Sequence, residues 1–115
     1  MTKRTWMLGL AVAALPLVAA RAEPDKKTER LWKAKCATCH GVDGKGQTDQ
    51  GRKMGMADLT TAAWQQSLTD EQVKKAINTG LKREKGGKAQ EMDPFAEKLE
   101  VAQIETLAAY VRTLK

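Results

Sequence analysis

The chain has 115 residues, among them 20 Lys or Arg, 14 Asp or Glu and 1 His, for a formal charge of +6 at pH 7. This length is enough for one domain. The 2 cysteines and the single histidine are too few to supply the four ligands of a structural zinc site. The basic residues are not interleaved with aromatic side chains, which argues against nucleic acid as a partner.

The N-terminus has the pattern of a secretory signal peptide. Lys3 and Arg4 form a basic start, residues 6–20 are mostly apolar, and the segment from Ala20 to Ala22 fits the small-x-small cleavage rule. An uncleaved anchor would need about 20 apolar residues to span a bilayer, and this run is shorter and contains a proline. We therefore predict a cleaved signal peptide at residues 1–22 and a domain at 23–115. The expected location is a bacterial periplasm, with no membrane span after cleavage.

The first helix of that domain is predicted at residues 25–35, and a Cys-x-x-Cys-His motif follows it at Cys36, Cys39 and His40. On a helical turn the two cysteines share a face, so both can reach the vinyl groups of one porphyrin. The imidazole of His40 projects to the same side, where it can ligate iron. The motif is the attachment signature of a c-type haem, so the predicted cofactor is one covalently bound haem c with its iron.

Three other interpretations of the two cysteines compete with haem attachment. A thioredoxin-like redox pair would sit in a βαβ context, which the sequence does not indicate. A zinc site would lack ligands, because the chain offers only three candidates. A plain disulfide leaves unexplained why the sole histidine of the chain directly follows the second cysteine.

The rest of the chain is predicted to be helices and loops, because no alternating pattern is long enough for a strand. The segment 41–55 holds five of the nine glycines and is predicted to be a loop, as is the lysine-rich segment 82–91. Thr69 and Gln72 have the spacing of a capping box. A short helix that begins at Thr60 or Thr61 is predicted within residues 58–67, and further helices are predicted at residues 69–79 and 101–114. The expected fold class is all-α, with four to five helices and long loops around one haem.

A haem bound by His40 alone would be open on its other face, and Met54, Met56 and Met92 are the candidate ligands of the domain. Met92 precedes Asp93-Pro94, and the proline stiffens this segment. A methionine that simply fills a gap in the core is the alternative. Local chemistry alone leaves ligation and core packing equally open for Met92.

Taken together, the Cys-x-x-Cys-His motif, the segment from Met92 to Phe95 and the last helix, residues 104–114, resemble a small bacterial class I cytochrome c. The resemblance covers essentially the whole domain and implies the cytochrome c fold. It also implies that Met92 is the distal iron ligand. In this family the first and last helices cross beside the haem, which implies that Trp32 packs against Leu107 and Tyr110.

One departure from the family concerns the support of the proximal histidine. The family often has a proline after the glycine-rich loop, and its carbonyl accepts a hydrogen bond from that histidine. Here the stretch contains Met56 and Ala57 instead. A backbone carbonyl at one of these two residues is expected to orient His40.

The function expected from His40 and Met92 ligation is that of a one-electron carrier, not an enzyme, because no iron position remains for a substrate. Its partners would be redox proteins, with the protein itself a monomer. One alternative is a cytochrome subunit dedicated to one dehydrogenase or oxidase. The other is a ligand-binding or peroxidatic haem protein, if Met92 is not bound.

Two further features each allow two interpretations. The indole N–H of Trp64 could contact a haem propionate, or Trp64 could be an ordinary core residue. The basic residues of segment 82–91 could steer an acidic redox partner, or they could simply be solvated.

Overall fold

The computed structural model describes Gly9, residues 11–14 and residues 25–115. Most of the predicted signal peptide lies outside these residues, so it remains a prediction. No helix in the described part of the chain is long and apolar enough to cross a membrane.

The described part of the chain is mostly helical, as predicted, with one small antiparallel hairpin. Its elements in chain order are α1 (Lys26–Lys35), α2 (Ala37–His40), α3 (Asp49–Met54), α4 (Ala62–Ser67), α5 (Asp70–Thr79), β1 (Leu81–Lys85), β2 (Lys88–Met92) and α6 (Val101–Thr113). The helix predictions agree with α1, α4, α5 and α6 to within a few residues.

The helices begin where side chains can satisfy their first N–H groups. Asp25 accepts from the N–H of Thr28 at 2.6 Å at the start of α1. At the start of α5, the predicted capping box is confirmed: Thr69 accepts from the N–H of Gln72 at 3.2 Å, and the Gln72 side chain accepts from the N–H of Thr69 at 2.9 Å.

Two predicted loops were wrong in part, and in each case the structure shows why. Segment 41–55 contains α3, which is too short to show helical periodicity but is capped by Thr48 through the N–H of Gly51 at 2.9 Å. Segment 82–91 belongs to the hairpin, whose turn has Gly86 at φ +59° and Gly87 at φ +75°. Two successive positive φ angles are what a tight hairpin turn requires. The strands are almost entirely exposed and so carry no hydrophobic alternation by which the sequence could predict them.

The core lies where α1 crosses α6. Trp32 and Leu107 are almost fully buried, and the ring of Trp32 lies 5.4 Å from that of Tyr110. The predicted packing of these three residues at the crossing is confirmed. The Arg112 side chain of α6 donates to the carbonyl oxygens of Gln65 and Leu68, which ties α6 to the α4–α5 junction.

Candidate functional site

The Cys-x-x-Cys-His segment forms a helical turn directly after α1. The N–H of Cys36 donates to the carbonyl of Trp32 at 2.8 Å, and the N–H of His40 donates to the carbonyl of Cys36 at 3.0 Å. The thiols of Cys36 and Cys39 are free and half-buried. Burial raises the pKa of Cys36 to about 11 and also raises the pKa of Cys39, with the charge of Asp93 contributing to the latter.

Packing against Trp32 orients the imidazole of His40. The two rings lie 5.7 Å apart, and the indole N–H of Trp32 donates to the carbonyl of Gly41 at 3.0 Å. Burial lowers the pKa of His40, which favours the neutral imidazole that binds metals. Its Nδ1 is buried and has no hydrogen-bond partner among the described residues. The expected carbonyl partner at Met56 or Ala57 is therefore not observed.

A crevice with two adjoining parts opens beside this turn. One part has a volume of about 430 Å³ and the other about 470 Å³. Volumes of this order are typical of cofactor pockets. The residues that line both parts, and so join them, are Cys36, His40, Met56, Glu91 and Met92.

The crevice brings together the residues that the sequence singled out. Met92, at the end of β2, lines the same crevice as His40. Both cysteines line one part, and Trp64 lines the other, beside the core. An apolar crevice with two thiols, an imidazole whose Nδ1 has no partner, and a thioether on its walls fits a porphyrin that Cys36 and Cys39 would attach and that His40 and Met92 would ligate.

Sequence reasoning missed the contribution of the hairpin to this site. Leu81, Arg83 and Gln90 line the part of the crevice with a volume of about 430 Å³, although segment 82–91 looked like a solvated loop. The signal that could have found it was Gly86-Gly87 between two five-residue runs, which is the spacing of a two-residue hairpin turn.

The chain belongs to the cytochrome c family: the family model described as Cytochrome c matches residues 26–115. It is a small class I c-type cytochrome, an electron-transfer haem protein with covalently bound haem c and iron. The predictions of the family, the cytochrome c fold and the cofactor are thereby confirmed.

Two curated relatives and one solved structure are informative. The chain is 35% identical over 106 residues to the Cbb3-type cytochrome c oxidase subunit CcoP of Rubrivivax gelatinosus, covering 90% of this chain and 31% of that protein. It is 33% identical over 89 residues to the Cbb3-type cytochrome c oxidase subunit FixP of Azorhizobium caulinodans, covering 77% of this chain and 27% of that protein. The chain thus spans about a third of the length of these relatives.

The solved structure is that of the KustC0563 c-type cytochrome. It superposes with a TM-score of 0.63 at 35% sequence identity, covering 76% of this chain and 96% of that one. The shared fold therefore spans almost all of a small cytochrome domain.

Proposed function

We propose that this protein is a periplasmic one-electron carrier whose haem is attached through Cys36 and Cys39 and ligated by His40 and Met92. The observation that carries the proposal is that His40 and Met92, from distant parts of the chain, line both parts of one crevice together. When bound, the haem supplies a reversible Fe(III)/Fe(II) couple, which a thioether ligand biases toward the ferrous state.

The residues around the crevice would hold these ligands in place during electron exchange. Trp32 would restrict the His40 ring by packing against it in a tilted arrangement, at 5.7 Å between ring centroids. Beyond Met92, the N–H of Phe95 donates to the carbonyl of Ile77 at 3.0 Å. An electron carrier needs a site that rearranges little when it gains or loses an electron, and ligands that are held in place meet this need.

Export to the periplasm is proposed from the leader at residues 1–22. Its test is the mass of the purified protein, which should correspond to a chain that begins at Glu23 plus one haem. A protein that retains Met1 would contradict export with cleavage.

A second candidate function is that of a cytochrome subunit dedicated to one oxidase. The observation that favours it is that both curated relatives are oxidase subunits. Stable co-purification with an oxidase from the native host would support this function, and an isolated monomer that reduces several acceptors would support the free carrier.

The proposed ligation predicts that Met92→Ala abolishes the weak sulfur-to-iron charge-transfer band of the oxidised holoprotein. The matched control is Met56→Ala, because Met56 lines the same crevice and should leave the band in place. Visible spectra of the oxidised and reduced proteins provide the measurement. A band that survives in Met92→Ala would indicate that another sulfur ligates the iron. A wild-type protein that lacks the band and binds cyanide rapidly would instead indicate an open iron and a ligand-binding or peroxidatic function.

A further inference from the structure

Gln90 is an unusual residue for an exposed hairpin. All residues of β1 are exposed, and so are most of β2, yet Gln90 in β2 is only 7% exposed. It is one of the two buried polar side chains in the described part of the chain, the other being Thr28. A buried amide is costly unless its hydrogen-bonding groups are satisfied, so its partners indicate its role.

The amide of Gln90 is fully satisfied. Its Nε2 donates to the carbonyl of Met54 at 2.9 Å and to that of Gly55 at 3.0 Å. Its Oε1 accepts from the Nε of Arg83, across the hairpin, at 2.9 Å. The two carbonyls belong to the C-terminal end of α3, where a helix has no partners of its own for these groups. Gln90 therefore caps α3 from the hairpin.

A second side chain of β2 makes the same kind of contact. The Nζ of Lys88 donates to the carbonyl of Arg52 at 3.0 Å. Lys88 and Gln90 are two residues apart and so lie on the same face of the strand. This face of the hairpin is docked on α3.

At its other end, α3 is bound to the proposed haem-attachment turn. The hydroxyl of Thr48 donates to the carbonyl of Thr38 at 2.6 Å. Gly51 packs so closely that a Cβ there would overlap the carbonyl oxygen of Cys39. α3 is thus a rigid spacer between the turn that carries His40 and the strand that carries Met92.

The position of Met92 follows from this arrangement. Met92 is two residues beyond Gln90, on the same face of β2, and pairs with Leu81 across the hairpin. After Met92 the chain is anchored to the end of α5 by the N–H groups of Phe95 and Ala96. The anchor that precedes Met92 is the contact of Gln90 with α3.

We propose that Gln90 is the positioning residue for Met92: by capping α3, it fixes the distance between the strand of Met92 and the turn of His40. The inference rests on the proposed ligation of the iron by Met92. Loss of the cap would let β2 move away from α3, and the sulfur would then be displaced more readily by an external ligand.

The test compares the Gln90→Leu holoprotein with the wild-type holoprotein. Two quantities are measured: the affinity of the oxidised form for cyanide and the strength of the sulfur-to-iron band. Leu keeps the bulk but removes every hydrogen bond of the side chain. Because cyanide competes with Met92, its affinity should rise roughly tenfold or more, the factor expected if the net energy of one or two of the three lost hydrogen bonds had held Met92 in place. The band should weaken while the haem stays attached.

Two further variants make the test specific. Glu84→Leu places the same side chain on the opposite, exposed face of the hairpin and should leave both readouts unchanged. Gln90→Asn keeps the amide on a side chain that is one methylene shorter, and it should give a cyanide affinity between those of the wild-type protein and Gln90→Leu. The Asn variant also tests the proposal if Gln90→Leu yields no holoprotein.

The outcomes separate the two hypotheses. Suppose that Gln90→Leu binds cyanide as tightly as the wild-type protein, even if its free energy of unfolding is lower, and that Met92→Ala still loses the band. This result overturns the positioning role. In that case Met92 ligation stands without Gln90. If Met92→Ala keeps the band, both the ligation and the positioning role are overturned.

Discussion

Gly80 shows how closely the segment of Met92 is packed. It ends α5 at φ +71° and ψ −178°, a backbone region that is essentially restricted to glycine. A Cβ at this position would overlap the carbonyl oxygen of Met92 and lie 2.8 Å from the nitrogen of Pro94. The close approach brings the end of α5 directly against the chain that follows β2.

We expect Gly80→Ala to lower the free energy of unfolding by about 2 kcal/mol or more, through backbone strain and the clash with Met92. The sulfur-to-iron band should weaken as well, since the clash falls on the backbone of Met92. Gly87→Ala is the matched control, because Gly87 has φ +75° but a Cβ added there would meet no atom within 4 Å. It should cost about 1 kcal/mol and leave the band intact. Equal losses in both variants, measured by denaturant unfolding, would contradict a specific contact at Gly80.

At the scale of elements, Arg112 connects three helices. Its guanidinium donates to the carbonyl of Gln65 at 2.7 Å, to the carbonyl of Leu68 and to the carboxylate of Asp70 at 2.7 Å. The side chain is 24% exposed, so these bonds are partly shielded from water. Arg112 thereby holds α6 against the junction of α4 and α5. Leu68 lies in this junction and lines the crevice.

Arg112→Ala is expected to lower the free energy of unfolding by about 2 kcal/mol, because two carbonyls lose their charged donor. Arg52→Ala provides the comparison, since its pair with Asp49 has side chains that are 64% and 98% exposed. That exposed pair should contribute about 0.5 kcal/mol or less. Urea unfolding of both holoproteins gives the two values. Similar losses would show that the contacts of Arg112 contribute no more than a surface ion pair.

At the scale of the whole molecule, the crevice occupies the position of a core. Without haem the mostly apolar walls of this crevice would be exposed to water, and the stabilisation from their burial against the cofactor would be lost. The entire stability of a typical domain is about 5–15 kcal/mol. We propose that a small domain with a crevice of this size depends on its cofactor to fold.

We therefore expect the chain without haem to lack a cooperative unfolding transition. The measurement is differential scanning calorimetry of the protein produced without haem attachment, with the holoprotein as the control. The haem-free chain should show no heat-absorption peak and weak near-ultraviolet circular dichroism. A sharp calorimetric peak from the haem-free chain would show that the protein core is sufficient by itself.

Local interactions explain which parts of this protein were predictable from its sequence. The cysteines and His40 lie within one helical turn, and the capping box of Thr69 spans three residues, so short-range spacing determines both. Met92 was different, because its local chemistry left ligation and core packing open. The resemblance to the cytochrome c family was needed to favour ligation.

The tertiary structure decided what depends on contacts between distant residues. The hairpin was hidden because its strands carry no hydrophobic alternation, and Gln90 had no local signal because its partners, Met54 and Gly55, lie 36 and 35 residues away in the chain. Its burial depends on α3, a helix too short to be predicted from periodicity. The sequence alone was therefore enough to predict the chemistry of haem attachment, through residues within one turn. Packing between α3 and the hairpin decided the contacts of Gln90, on which the proposed position of Met92 depends.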